Sequence, residues 1–191
     1  MRITVINGTN RIGNKTILVS KAVEKTIRDL GIEVSLVTLD NFDTLFRGKY
    51  ITLDSANPTQ KSDIGNMIKS DILLFVVPTY HSGIPSPLKN LLDILKGKEI
   101  YNNKVIGAIA VSDHNQDLGA RQTVQILNGI LSYLKLTSFV VPRINVVDLE
   151  NLDKDRLFNY IKYCASFLKL YEQANQSYLG YDGGNGFLRL S

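Results

Sequence analysis

A single cysteine in 191 residues leaves no internal disulfide to form, and Cys164 sits beside Ala165, Phe167 and Leu168, the surroundings of a core thiol rather than a nucleophile. No apolar run approaches the ~20 residues that cross a bilayer, so the chain is expected to stay in water, away from any membrane. Lys and Arg outnumber Asp and Glu by 22 to 18, yet no block of five or more like charges occurs, which argues against a nucleic-acid partner. A scattered surplus of +4 fits the steering of small phosphorylated ligands, and equally a merely solvated surface. The two histidines, His81 and His114, have no Cys or acidic cluster at ligand spacing, so no metal site is expected. A G-x-S-x-G elbow is missing, which leaves Ser82, Ser112 and Asp113 poor material for a hydrolytic triad. Residues 1–7 carry one basic side chain and no signal-length apolar core; they read as a first strand, and a cytoplasmic location is expected.

What is present is an alternation of strand-like and helix-like segments, the mark of βαβ units and a parallel sheet. Residues 2–6 form a short β-rich run. Residues 14–30 place Val19, Ala22, Val23, Thr26, Ile27 and Leu30 on one helical face before Gly31 ends it. Ile32, Val34 and Leu36 alternate with Glu33 and Ser35, as on an edge strand, whereas the unbroken apolar run 72–77 implies a central strand covered on both faces. Residues 40–60 lack periodicity; Ile64, Met67 and Ile68 mark a helix after them. Ser86 is expected to cap a helix with Pro87 in its first turn and a stripe of Leu88, Leu91, Leu92 and Leu95. A fourth strand is read at 104–111, a helix through Ala120, Val124, Leu127, Leu131 and Leu134, a fifth strand at 137–141, and a last helix through Leu157, Ile161, Cys164, Leu168 and Tyr171. The expected fold is α/β, a flavodoxin-like three-layer sandwich around a five-stranded parallel sheet in order 2-1-3-4-5. One domain is expected over residues 1–175. Residues 176–191, with Gly180, Gly183, Gly184 and Gly186 among Tyr178, Tyr181, Phe187 and Leu188, form a tail that is either flexible or docked on a partner subunit.

Two loops at carboxyl ends of neighbouring strands point to one crevice. The first, residues 8–16, offers Thr9, Arg11, Asn14, Lys15 and Thr16 next to glycines and a helix amino terminus, which is what a phosphate needs. It misses a P-loop by one residue, because Asn14 stands where the lysine belongs, and strand 72–77 ends without an acidic residue for magnesium. The first turn also lacks G-x-G-x-x-G, so a mononucleotide fits better than a dinucleotide. The second loop supplies Pro78, Thr79, Tyr80, His81, Ser82 and Gly83, and a third supplies Ser112, Asp113 and His114, small groups and backbone donors suited to a flat ring. Both histidines are read as lining the ring or facing solvent.

With Gly8, Thr9 and Arg11 in a G-S/T-x-R frame, and Pro78, Tyr80, Pro85, Leu88, Lys89, Asn90 and Asp93 in a P-x-Y-N-x-x-x-P-x-x-L-K-N-x-x-D frame, residues 2–170 resemble the NAD(P)H-dependent FMN reductases. That family includes azo-dye, quinone and chromate reductases. His81 replaces the family's Asn in the second frame, and of the third region Ser112 and Gly119-Ala120-Arg121 correspond. The resemblance implies FMN as cofactor and NADPH or NADH as hydride donor, with a small-molecule electron acceptor such as a quinone, an azo compound or free flavin. It also implies a homodimer or homotetramer, for which the helix through Leu88 and Leu95 is a candidate contact, and chemistry carried by the flavin with no catalytic side chain. Two rival readings stay open: a flavodoxin-like electron carrier without turnover of its own, and a regulatory or scaffolding protein with an empty site.

Overall fold

The computed structural model describes residues 1–42, 50–101, 104–112, 117–133, 144–146 and 154–179. Four long strands, β1 (Arg2–Asn7), β2 (Glu33–Thr38), β3 (Ile72–Pro78) and β4 (Val105–Val111), lie parallel in the order β2-β1-β3-β4, as expected from the sequence. A short fifth, β5 (Ile144–Val146), pairs with the carboxyl end of β4. It comes later in the chain than the strand expected at 137–141, a segment that lies outside the described residues. β3 and β4 are buried along their whole length, while β2 has one fully buried residue, Val37, as an edge strand would.

Alternation along the strands builds two cores. Ile3, Val5, Leu74, Val76 and Ile109 meet α1 (Thr16–Asp29) and α6 (Lys154–Leu179) on one face. Ile6, Leu73, Phe75, Val77 and Ile106 meet α2 (Pro58–Lys69), α3 (Ser86–Ile94), α4 (Lys98–Tyr101) and α5 (Asp117–Tyr133) on the other. The stripe Leu88, Leu91, Leu92 and Leu95 is buried inside this chain's own core, so the α3 face considered above for a subunit contact is already covered. Cys164 is buried as expected, and burial pushes its thiol up to about 12, away from the thiolate form that a nucleophile needs. α6 runs to Leu179, past the domain end expected at residue 175; residues 180–191 lie outside the described part.

Two helix starts differ from expectation. α2 begins at Pro58, inside the stretch without periodicity, because Asn57 and Gln60 form a reciprocal cap: Gln60 N donates to Asn57 Oδ1 at 2.9 Å and Asn57 N to Gln60 Oε1 at 3.1 Å. In α3, Ser86 is the first helical residue rather than the cap, and extended Pro85 precedes it with no side-chain cap. Pro87 has no N–H, so this helix start has one donor fewer to satisfy.

Polar groups tie the lower edge of the sheet. The buried Lys104 ammonium donates to Ile68 O (2.7 Å) and Ser70 O (2.6 Å) at the end of α2, and burial lowers its pKa although the Asp71 carboxylate works the other way. Asp63 is buried in α2 and accepts from Asn41 Nδ2 at 2.7 Å; desolvation raises its carboxyl above the usual 3.8 despite that bond. The described pairing of β5 covers residues 109–111 of β4, and one residue earlier the Tyr160 hydroxyl of α6 bonds both backbone groups of Ala108. It accepts from Ala108 N at 2.8 Å and donates to Ala108 O at 2.9 Å. The helix comes this close because residue 107 is glycine: a Cβ there would lie 2.7 Å from Leu74 Cδ1, 3.1 Å from Tyr160 Oη and 3.3 Å from Cys164 Sγ.

Candidate functional site

The carboxyl ends of β1, β3 and β4 open into a cleft of about 570 Å³, lined by residues 11–16, 78–82, Val111 and Ser112. That volume is in the range of small-molecule sites, about 300–1,000 Å³.

The first wall is the loop after β1. Gly8 N continues the pairing with β3 by donating to Val76 O at 2.8 Å, and a Cβ at Gly8 would lie 2.9 Å from that oxygen, so only glycine lets the chain turn here. Buried Asn7 draws the loop inward through Nδ2 to Thr9 O (2.7 Å). Asn14 then shapes the helix entry. Its Nδ2 and its backbone N–H both donate to Arg11 O, at 2.6 and 3.1 Å, while its Oδ1 accepts from Ile17 N at 2.8 Å. Gly13 takes the left-handed φ of 70° that this tight turn demands. The amides of Gly13, Lys15 and Thr16 have no hydrogen-bond partner among the described residues.

Those amides sit at the amino terminus of α1, whose first turn holds no acidic residue. The exposed Arg11 and Lys15 add two full positive charges, and no carboxylate lies among the described residues that line the cleft. Free N–H groups, two cations and the buried Thr16 hydroxyl make an anion cradle of the kind that takes a phosphate ester.

The opposite wall is a turn after β3. Tyr80 N donates to Gly83 O at 3.2 Å and Gly83 N to Tyr80 O at 2.9 Å, closing a tight turn in which His81 (φ 49°) and Ser82 (φ 60°) are both left-handed. Positive φ at both central positions is the type I′ geometry, which glycine or asparagine normally fills, and each non-glycine residue held there costs of order 1–3 kcal/mol. The turn is fixed to β4 by Thr79 N donating to Val111 O at 2.8 Å. It is tied to the first wall through Tyr80, whose hydroxyl lies 3.4 Å from Thr9 Oγ1 and whose ring faces the Arg11 guanidinium at 5.7 Å.

Of the residues expected at the site, Arg11, Asn14, Lys15, Thr16, Pro78, Thr79, Tyr80, His81, Ser82 and Ser112 line this one cleft. Thr9 does not: it is buried beneath the loop and accepts from Arg11 N at 3.2 Å, so it builds the cradle rather than touching its contents. Asn14 lines the cleft, but its side chain is engaged in shaping the loop. Gly83 closes the turn from behind. Asp113 and His114 lie outside the described residues. Ile12, Gly13 and Val111 line the cleft without having been singled out; Val111 could have been found as the last residue of β4, beside Ser112.

The fold is shared with solved structures. An NADH:FMN oxidoreductase (EMOB) aligns with a TM-score of 0.67 at 19% identity, covering 85% of this chain and 87% of that one. The NAD(P)H:acceptor flavoenzyme FerB of Paracoccus denitrificans aligns with a TM-score of 0.64 at 18% identity, covering 90% and 97%. A Streptococcus pneumoniae flavodoxin aligns with a TM-score of 0.53 at 17% identity, covering 86% and 97%. At these identities the likeness establishes the architecture, an α/β flavodoxin-like fold on a parallel sheet. No curated protein sequence matches the chain. A family model described as NADPH-dependent FMN reductase matches residues 1–152.

Proposed function

The chain belongs to the NADPH-dependent FMN reductase family, a family of flavin-dependent NAD(P)H oxidoreductases, and from that premise we propose that it reduces a small acceptor such as a quinone, an azo compound or free flavin. The observation that carries the reading is the pairing of the two cleft walls: a cationic, acid-free helix start facing an uncharged polar turn with Tyr80 at its head. The residues fit FMN. Arg11, Lys15, the Thr16 hydroxyl and the free amides of residues 13, 15 and 16 match a phosphate dianion in charge and donor type. Pro78, Thr79, Tyr80, His81, Ser82, Val111 and Ser112 line the other side of the cleft, where a ring would lie. Asp113 and His114 belong to the same ring-side loop by sequence.

Bound FMN supplies the redox chemistry, accepting hydride from NAD(P)H and passing electrons to the acceptor. This chain's part is to hold and orient. Arg11 and Lys15 would anchor one end, the backbone N–H groups of His81 and Ser82, without a partner among the described residues, would be free for the ring, and no side chain is required as acid or base.

Visible spectra of the purified protein with FMN and NADPH test the reading. Retained flavin and steady NAD(P)H consumption in the presence of a small quinone are expected. A protein that neither binds FMN nor oxidises NAD(P)H refutes it, and flavin reduced only through a partner reductase turns the assignment to an electron carrier.

A further inference from the structure

Behind the left-handed turn lies α5, and its first two turns press directly on it. Thr123, fully buried, places its hydroxyl 2.9 Å from Gly119 O, 3.3 Å from Gly83 O and 3.4 Å from Thr79 Oγ1. The first contact is the helix-internal bond that a threonine makes to the preceding turn. The other two leave the helix and grip the loop at both ends of its tight turn. Thr123 is the donor in all three contacts, so its one hydroxyl proton is shared among them, with the two bonds to the loop the longer ones.

Gly119 lies one helical turn earlier. A Cβ there would stand 3.2 Å from both Ser82 Oγ and Thr79 Cγ2, and its φ is not in the left-handed region. This glycine therefore serves close approach and not backbone freedom, at the expense of helix propensity.

We propose that Gly119 and Thr123 form a clamp that holds the Tyr80–Gly83 turn in its left-handed form, which makes both of them positioning residues for the flavin ring. Two successive non-glycine residues at positive φ persist only where the surroundings over-determine them, and the turn's own bonds fix its two ends without fixing the residues between. Thr123 holds the carbonyl that accepts the Tyr80 amide, while the surface left bare by Gly119 fixes where Ser82 can lie. The role in flavin binding rests on the function proposed above; the clamp itself does not.

Gly119→Ala, Thr123→Val and Thr123→Ser decide the matter with three readouts: thermal melting, FMN affinity with the bound-flavin spectrum, and amide exchange at Tyr80 and Gly83 in flavin-free protein. Gly119→Ala is expected to melt no lower than the original, since a helical glycine is removed, yet to bind FMN about five- to tenfold more weakly with a shifted spectrum. Thr123→Val is expected to speed exchange at the Tyr80 amide, whose acceptor Thr123 holds, and Thr123→Ser, which keeps the hydroxyl, to restore it. FMN binding within twofold of the original in Gly119→Ala, together with unchanged exchange at Tyr80 and Gly83, overturns the clamp, and this holds even if Thr123→Val fails to fold. Failure of the unaltered protein to bind FMN would refute the functional reading instead, leaving the exchange measurement to judge the clamp.

Discussion

Replacing Tyr160 by Phe removes one oxygen atom and keeps the ring. Its hydroxyl both accepts from Ala108 N and donates to Ala108 O, and Ala108 and Tyr160 are themselves buried. Among the described residues, β5 pairs with Ile109 to Val111, and the Tyr160 hydroxyl is the partner of both Ala108 groups on that side. The substitution therefore strands one N–H and one C=O in the interior, each at about 1.5 kcal/mol, in the lower half of the range of about 1–3, or about 3 kcal/mol in total. At about 2–4 °C per kcal/mol for a chain of this size, Tm is expected to fall by about 6–12 °C, with the denaturant midpoint shifting and the m-value unchanged. Burial already holds the phenol's pKa well above its usual 10.0, so the effect is not titrated away at moderately alkaline pH. A Tm within 2 °C of the original would refute the claim that this hydroxyl satisfies both Ala108 backbone groups.

Lys104→Met removes the donor to Ile68 O and Ser70 O; a loss of about 2 kcal/mol is expected, with faster amide exchange confined to the last turn of α2. Asp63→Asn keeps an oxygen for Asn41 while removing a buried charge, so it is expected to be at least as stable as the original at pH 7. The sign follows from the raised folded pKa: ionising Asp63 costs stability as pH rises from 3.8 through that pKa, so the variant's advantage in chemical melts grows over that interval, vanishes below it and is constant above it. Arg11→Gln is expected to weaken FMN by about 10- to 100-fold while leaving riboflavin, which lacks the phosphate, almost unaffected; equal losses for both ligands in fluorescence titrations would place the guanidinium elsewhere.

The four long strands and the α1, α3, α5 and α6 stripes were legible because hydrophobic periodicity reports burial directly, as at Ile72, Phe75 and Val77 or at Leu88, Leu91 and Leu92. Most of the cleft lining was legible too, since loops after parallel strands have few other duties. The α2 start was missed although Asn57-Pro58-Thr59-Gln60 spells a reciprocal cap, a signal that hydrophobic patterning cannot register. The distinction between Thr9, which builds the loop, and Arg11, which faces the cleft, depends on which way each side chain turns, and the sequence does not encode that locally. The left-handed His81 and Ser82 were hidden for a related reason: neither residue type announces such a conformation, which tertiary contacts from α5 impose.

Gly107 links the ring of Tyr160 to the packing of the whole α6 face. A methyl at that position would displace Leu74 Cδ1 and crowd the phenol off Ala108, and a smaller residue at 160 leaves the glycine guarding empty space. Descent would thus tend to exchange the two positions jointly or keep both, so a paired substitution pattern between residues 107 and 160 is the trace this contact is expected to leave among divergent relatives.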